Sequence, residues 1–154
     1  MIINEFRDNR GSLIIYPCEG YDQVNISVNT HKYTFRGMHY QENPRQKKII
    51  KVLQGRILDF LYNLDTKTLG IYNLDDDENG YGLTVDTNFA HGFITLEPNT
   101  IVSYLVEGEY NPKEEKSMSW DSIPDLKYFM EEELKVNASD LIISDKDKLG
   151  KWVE

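Results

Sequence analysis

The chain is poor in cysteine, histidine and proline, with one, three and five among 154 residues, and it has no apolar run approaching the length of a membrane span. A lone Cys18 excludes an internal disulfide. The opening Met-Ile-Ile-Asn-Glu-Phe-Arg holds no apolar signal core, so a cytoplasmic protein is expected, and the sequons at Asn25 and Asn137 then carry no weight. Positive charge is scarce as well. Seventeen Lys and Arg against 26 Asp and Glu leave a net charge of −9, which argues against nucleic-acid or anionic-membrane binding through the whole surface. No repeat, low-complexity stretch or linker-like composition divides the chain, and a single domain over residues 1–154 is expected.

Against these absences stand 40% apolar residues, ten Tyr and six Phe, enough for one sizeable core. The charge is unevenly spread. Residues 31–56 hold Lys32, Arg36, Arg45, Lys47, Lys48, Lys51 and Arg56 against Glu42 alone, a local +6. Such an island suits a small anionic ligand, and equally a solvated strand face offset by acidic neighbours.

From about residue 11 to 120 the chain reads as short strands broken by Gly, Asn, Asp and Pro, the spacing of a sandwich or barrel. Ile50 and Val52, then Leu58, Phe60, Tyr62 and Leu64, alternate on either side of Gln54-Gly55, predicting two adjoining strands. In Thr100–Val106, Val102, Tyr104 and Val106 share one face, which puts Tyr104 inside or at the mouth of a barrel. After Trp120 the period changes: Ser122-Ile123-Pro124-Asp125 is a helix start, and Leu126, Phe129, Met130 and Leu134 recur at helical spacing to about Lys135. The C-terminal helix and tail thus occupy residues 122–154.

Asp75-Asp76-Asp77-Glu78-Asn79-Gly80 with Asp86 has the spacing of a calcium-binding EF loop. Its flanks read as strands rather than helices, and Asp stands where a bidentate Glu is usual, so a solvated hairpin turn is the stronger expectation. His39 and His91 lie in strand-like segments, as core histidines or as site residues. The position two beyond His39 is Gln41, with no further His or Cys to complete a set, and no metal or other cofactor is expected. His39, Lys48 and Tyr104 could together supply a base, a cation for a developing enolate and an acid, and each also has a plain structural reading.

Arg36-Gly37-Met38-His39-Tyr40-Gln41 and Phe89-Ala90-His91-Gly92-Phe93, supported by Asp8-Asn9-Arg10-Gly11, Tyr110-Asn111-Pro112, Ser119-Trp120-Asp121 and Ser144-Asp145-Lys146-Asp147, resemble the dTDP-4-dehydrorhamnose 3,5-epimerases. These are metal-free cupins acting on nucleotide-linked 4-keto-6-deoxyhexoses. The resemblance implies an all-β cupin jelly-roll barrel with a short C-terminal helix, a homodimer, a nucleotide-diphosphate sugar as partner, and inversion at C3 and C5. It also implies that His39 is the base, oriented by Asp147; that Lys48 steadies the enolate; and that Tyr104 returns a proton on the opposite face. Arg10 and Arg36 would grip the diphosphate, with Gln23, Asn25, His91 and Tyr110 as further contacts. The family also reaches its nucleotide from positions where this chain has Ser12-Leu13-Ile14-Ile15. Three alternatives remain: a 3-epimerase, a sugar-nucleotide 3,4-ketoisomerase and a non-catalytic sugar-nucleotide-binding cupin. The ketoisomerases carry a second His where this chain has Gln41. Despite 108 residues of separation, His39 and Asp147 are expected within hydrogen-bond reach.

Overall fold

A computed structural model describes residues 4–18, 20–77 and 82–150. Among them, the apolar–polar alternation resolves into strands in two antiparallel sheets. One sheet is ordered β1 (Asn4–Asp8), β2 (Gly11–Cys18), β3 (Tyr21–Asn29), β10 (Thr100–Glu107), β5 (Lys47–Gln54) and β8 (Leu83–Val85). The other is ordered β11 (Glu115–Ser117), β4 (Phe35–Gln41), β9 (Phe89–Thr95), β6 (Arg56–Asn63) and β7 (Leu69–Asp75). From β3 to β10 the chain changes sheet at every step except the β6–β7 hairpin, which is jelly-roll order. The expected barrel is not closed. No strand pairing joins the sheets among the described residues, and the three-residue strands β8 and β11 give short edges for closure.

Strand structure also begins earlier than residue 11, because β1 pairs with β2 through the Asn9-Arg10 turn. The expected adjoining strands are β5 and β6, which sit in different sheets. Gly55 turns the corner at φ +84°, where a Cβ would stand 2.5 Å from Thr100 Oγ1. The acidic segment is no hairpin turn: β7 pairs with β6 and β8 with β5, so the connection crosses between sheets. Its residues 78–81 lie outside the described ones. Among the described residues no helix is long and apolar enough to cross a membrane.

Strand alternation sorts the apolar side chains into two cores. Ile50, Val52, Ile57, Leu61, Val85, Phe93 and Val102 fill the space between the sheets. Phe35, Met38, Phe60, Ala90 and Ile94 point from the opposite face of the five-stranded sheet, against the C-terminal segment. There Pro124 opens α1 (Pro124–Tyr128), which widens to a π turn over Phe129–Glu133, and Leu126 and Met130 are fully buried against that sheet. The tail returns beside β4: Ile142 accepts from Phe35 N at 2.9 Å and donates to Tyr33 O at 3.0 Å. It ends in α2 (Asp145–Lys148), a turn not anticipated from the charged tail and capped by Ser144 Oγ, which accepts from Asp147 N at 3.3 Å.

Leu126→Ala should leave a void under the five-stranded sheet and lower stability by about 2–5 kcal/mol, read as a reduced urea midpoint at unchanged slope.

Candidate active site

Arg36 and His39 are three residues apart and would face opposite sides of a regular strand. Between them β4 carries one extra residue: Arg36 stands opposite Phe93 and His39 opposite His91. This bulge turns both side chains toward the space between the sheets, while Phe35 and Met38 face the outer core. Gly37 makes the bulge possible. Its φ is +127°, and a Cβ there would lie 2.6 Å from Gly92 Cα, so the glycines of the two histidine motifs pack backbone to backbone.

The bulge opens a cavity of about 320 Å³ between the sheets. His39, Tyr104, Lys48, Asp147, Arg10, Arg36, Gln23, Asn25, His91 and Tyr110 all border it. The structure thus brings every sequence-predicted position into one place. Its walls follow from register: on β3 and β10, Asn25 stands opposite Tyr104 and Gln23 opposite Val106, which in turn stands opposite Lys48 of β5. His39 and His91 come from the facing sheet. Glu115, Lys146 and Phe6 border the cavity too and were missed. The Glu115–Lys146 ion pair, 2.9 Å, joins β11 to α2 by tertiary contact alone. Leu13 and Ile15 line one end.

His39 Nε2 lies 2.6 Å from Asp147 Oδ1. Asp147 is 1% exposed, and its other oxygen accepts from Gly37 N at 3.1 Å and Arg10 Nη1 at 3.0 Å. Burial alone would raise this carboxyl, but His39, the Gly37 amide and Arg10 outweigh it and hold it below the usual range. The ionised partner can only accept, so Nε2 carries the proton and Nδ1 keeps the basic lone pair. Arg10 is anchored in turn by Asp8, at 3.0 Å from Nε and 2.6 Å from Nη2, and Asn9 donates to Ile143 O at 3.2 Å. The Asp8-Asn9-Arg10-Gly11 turn therefore clasps the tail that carries Asp147.

Across the cavity, burial pushes the Tyr104 phenol up to about 12 against the opposing pull of Arg36, so it remains a proton donor at neutral pH. Burial lowers Lys48, with Glu115 and Asp59 pulling the other way. Arg36 is 8% exposed; its Nε donates to Asn29 Oδ1 at 2.7 Å, and its Nη2 is buried with no partner among the described residues. A buried guanidinium nitrogen left without a partner is ready to donate to an anion. The other five basic-island residues, Lys32, Arg45, Lys47, Lys51 and Arg56, are exposed, so the island is divided between site and surface, on β5 by strand alternation. Tyr110 Oη donates to Glu115 Oε2 at 3.0 Å, and burial together with that carboxylate pushes Tyr110 up to about 12. Gln41 is committed to structure: its amide donates to Pro44 O and Glu109 O, and its carbonyl accepts from Asn111 N, all within 2.9 Å, fixing the loop that carries Tyr110. Among the described residues no group of three or more His, Cys, Asp or Glu could hold a metal ion.

Fold and cavity together define a jelly-roll cupin with a histidine–carboxylate pair on one wall, a protonated phenol on the other and a buried cation free for an anion. The chain belongs to the dTDP-4-dehydrorhamnose 3,5-epimerase family, whose profile matches residues 3–154. It is 33% identical to the dTDP-4-dehydrorhamnose 3,5-epimerase of Sinorhizobium fredii over 107 residues, covering 66% of this chain and 55% of that protein. It is 33% identical to the enzyme of that name from Methanothermobacter thermautotrophicus, covering 82% of this chain and 67% of that one. The matched stretch thus spans between about half and two thirds of these relatives. The crystal structure of the Bacillus anthracis dTDP-4-dehydrorhamnose 3,5-epimerase with TDP and PPi bound superposes with a TM-score of 0.72 at 32% identity, covering 98% of this chain and 91% of that chain.

Because the Asp147 carboxyl is held low in the fold, its contribution to stability is complete above about pH 4 and is lost as pH falls through the folded-state value. Asp147→Asn should therefore flatten the acid limb of a Tm-against-pH curve below pH 4, while wild type falls away.

Proposed function

We propose that this protein is an isomerase that inverts C3 and C5 of a dTDP-linked 4-keto-6-deoxyhexose. One observation carries the reading: the Asp147-oriented His39 and the protonated Tyr104 stand on opposite sheets across one cavity. Inversion needs a proton taken from one face of a carbon and one delivered to the other. In the proposed reaction His39 Nδ1 removes the proton next to the ketone, and the C–H electron pair moves to the C4 oxygen as an enolate. Lys48 donates to that oxygen, and collapse of the enolate draws the Tyr104 proton onto the opposite face. Solvent then reprotonates the phenolate and takes the proton from His39. Arg36 and Arg10, which keeps two N–H donors beyond its carboxylate partners, hold the diphosphate; Gln23, Asn25, His91 and Tyr110 contact the remainder.

The protein is read as a cytoplasmic homodimer, consistent with its lone Cys18. The dimer is supported by β1, an edge strand on which Phe6 is 60% exposed while also bordering the cavity, where a second copy would cover it. Size-exclusion with light scattering should give twice the 18.0 kDa chain mass, and a single chain mass at micromolar concentration would refute the dimer.

The reaction is tested by incubating the protein with dTDP-4-keto-6-deoxyglucose in deuterated water and following the sugar by NMR. Deuterium at both C3 and C5 is expected. Label at C3 alone makes it a 3-epimerase; tight binding without label makes it a binding cupin. His39→Asn should abolish exchange in a folded protein, and Asp147→Asn should slow it by about 10–100-fold, since it misorients the base without removing it.

A further inference from the structure

Asp59 is 0% exposed, on an interior strand whose inward neighbours Ile57 and Leu61 belong to the apolar core. A carboxylate there is an expensive choice where an aliphatic side chain would fill the same space. One oxygen lies 2.8 Å from His91 Nε2, and the other is buried with no partner among the described residues. Register puts His91 opposite His39, so two imidazoles stand side by side across the β4–β9 ladder, each held at Nε2 by a buried carboxylate. The two carboxylates differ. Asp147 is compensated by Arg10 and the Gly37 amide, whereas Asp59 has His91 as its hydrogen-bonding partner.

We propose that Asp59 is a positioning residue of the carbonyl side of the site: it fixes the His91 ring through Nε2–H and serves as the buried counter-charge of Lys48. Lys48 shares the cavity wall with Glu115 from β11, His39 and Tyr40 from β4, His91 from β9, Tyr104 from β10, Arg10, Arg36, Tyr110, Lys146 and Asp147, and Asp59 of β6 lies behind His91. Of these, Glu115 and Asp59 favour the ammonium against burial. Glu115 also faces Lys146 at 2.9 Å and accepts from Tyr110, so its charge is divided at the rim. Asp59 is the deeper carboxylate, and burial pushes it up while His91 and Lys48 pull it back, the reciprocal of its effect on Lys48. In its ionised form it favours the ammonium of Lys48, the donor for the enolate oxygen. The inference deepens the epimerase reading and rests on it for the role of Lys48.

The test is the nearly isosteric Asp59→Asn, assayed by deuterium incorporation across pH. Removing the charge should lower kcat about 10–100-fold, and the alkaline limb of kcat/KM should move about one pH unit lower, because Lys48 then loses its proton more easily. A purely structural Asp59 would lower activity with the limb in place, and that result overturns the inference while leaving the epimerase reading intact. Absence of wild-type turnover overturns the epimerase reading instead. In that case, or if Asp59→Asn does not fold, the 15N spectrum of the wild-type histidine rings decides, with His91 assigned through His91→Gln. A proton on His91 Nε2 supports the assignment, and a bare Nε2 overturns it.

Discussion

The structure turns on the burial of one carboxylate. Asp147 is removed from water at the end of the chain, where an isolated charge would cost several kcal/mol, and it is tolerated because an imidazole, a backbone amide and a guanidinium converge on it. The donors come from two places: the bulge of β4 supplies Gly37 and His39, and the turn after β1 supplies Arg10. The tail, the first hairpin and the bulge are therefore mutually dependent. Removing the hairpin or the bulge leaves the buried charge under-satisfied, and removing the tail leaves the His39 ring without its guide.

The jelly-roll path gives the cavity its chemical asymmetry. Because successive strands alternate between sheets, side chains close in sequence land on facing walls, and the aqueous end of the sandwich lies between a wall with two imidazoles and one with a phenol and an ammonium. The low-dielectric surroundings then separate the proton affinities. Tyr104 and Lys48 are both driven toward their neutral forms by burial, which makes the phenol a reluctant acid and Lys48 reliant on nearby carboxylates. Asp147 moves the other way because its donors outnumber its losses. Acid and base roles in the proposed reaction follow from these environments rather than from residue type.

Much of this was legible in the residues. Period-two alternation in 48–65 and 100–106 marked strands, and on β5 and β10 it marked the inner face that carries Ile50, Val52 and Tyr104; on β6 it picked Leu58, Phe60 and Tyr62, which face the outer core, because that strand is apolar on both sides and Ile57 and Leu61 point between the sheets. The helical spacing of Leu126, Met130 and Leu134 marked the docked segment, though the widening into a π turn left no trace in the pattern. The two histidine motifs pointed to the site. Asp59 had a signal that passed unread: a carboxylate between Ile57 and Leu61 on the buried face of a strand.

Sequence by itself determined the strands, the composition of each face and the residue types available for proton transfer, because these depend on neighbours within a few positions. Only the tertiary structure decided that β5 and β6 part company at Gly55, that β7 and β8 never pair, that the barrel stays open, and that Gly37 rests on Gly92. Those outcomes, like the meeting of Arg10, His39 and Asp147, depend on contacts between segments up to 137 residues apart. Such contacts are selected by the joint requirement that every buried charge find a partner and every inward side chain find space, which no local stretch of chain can express.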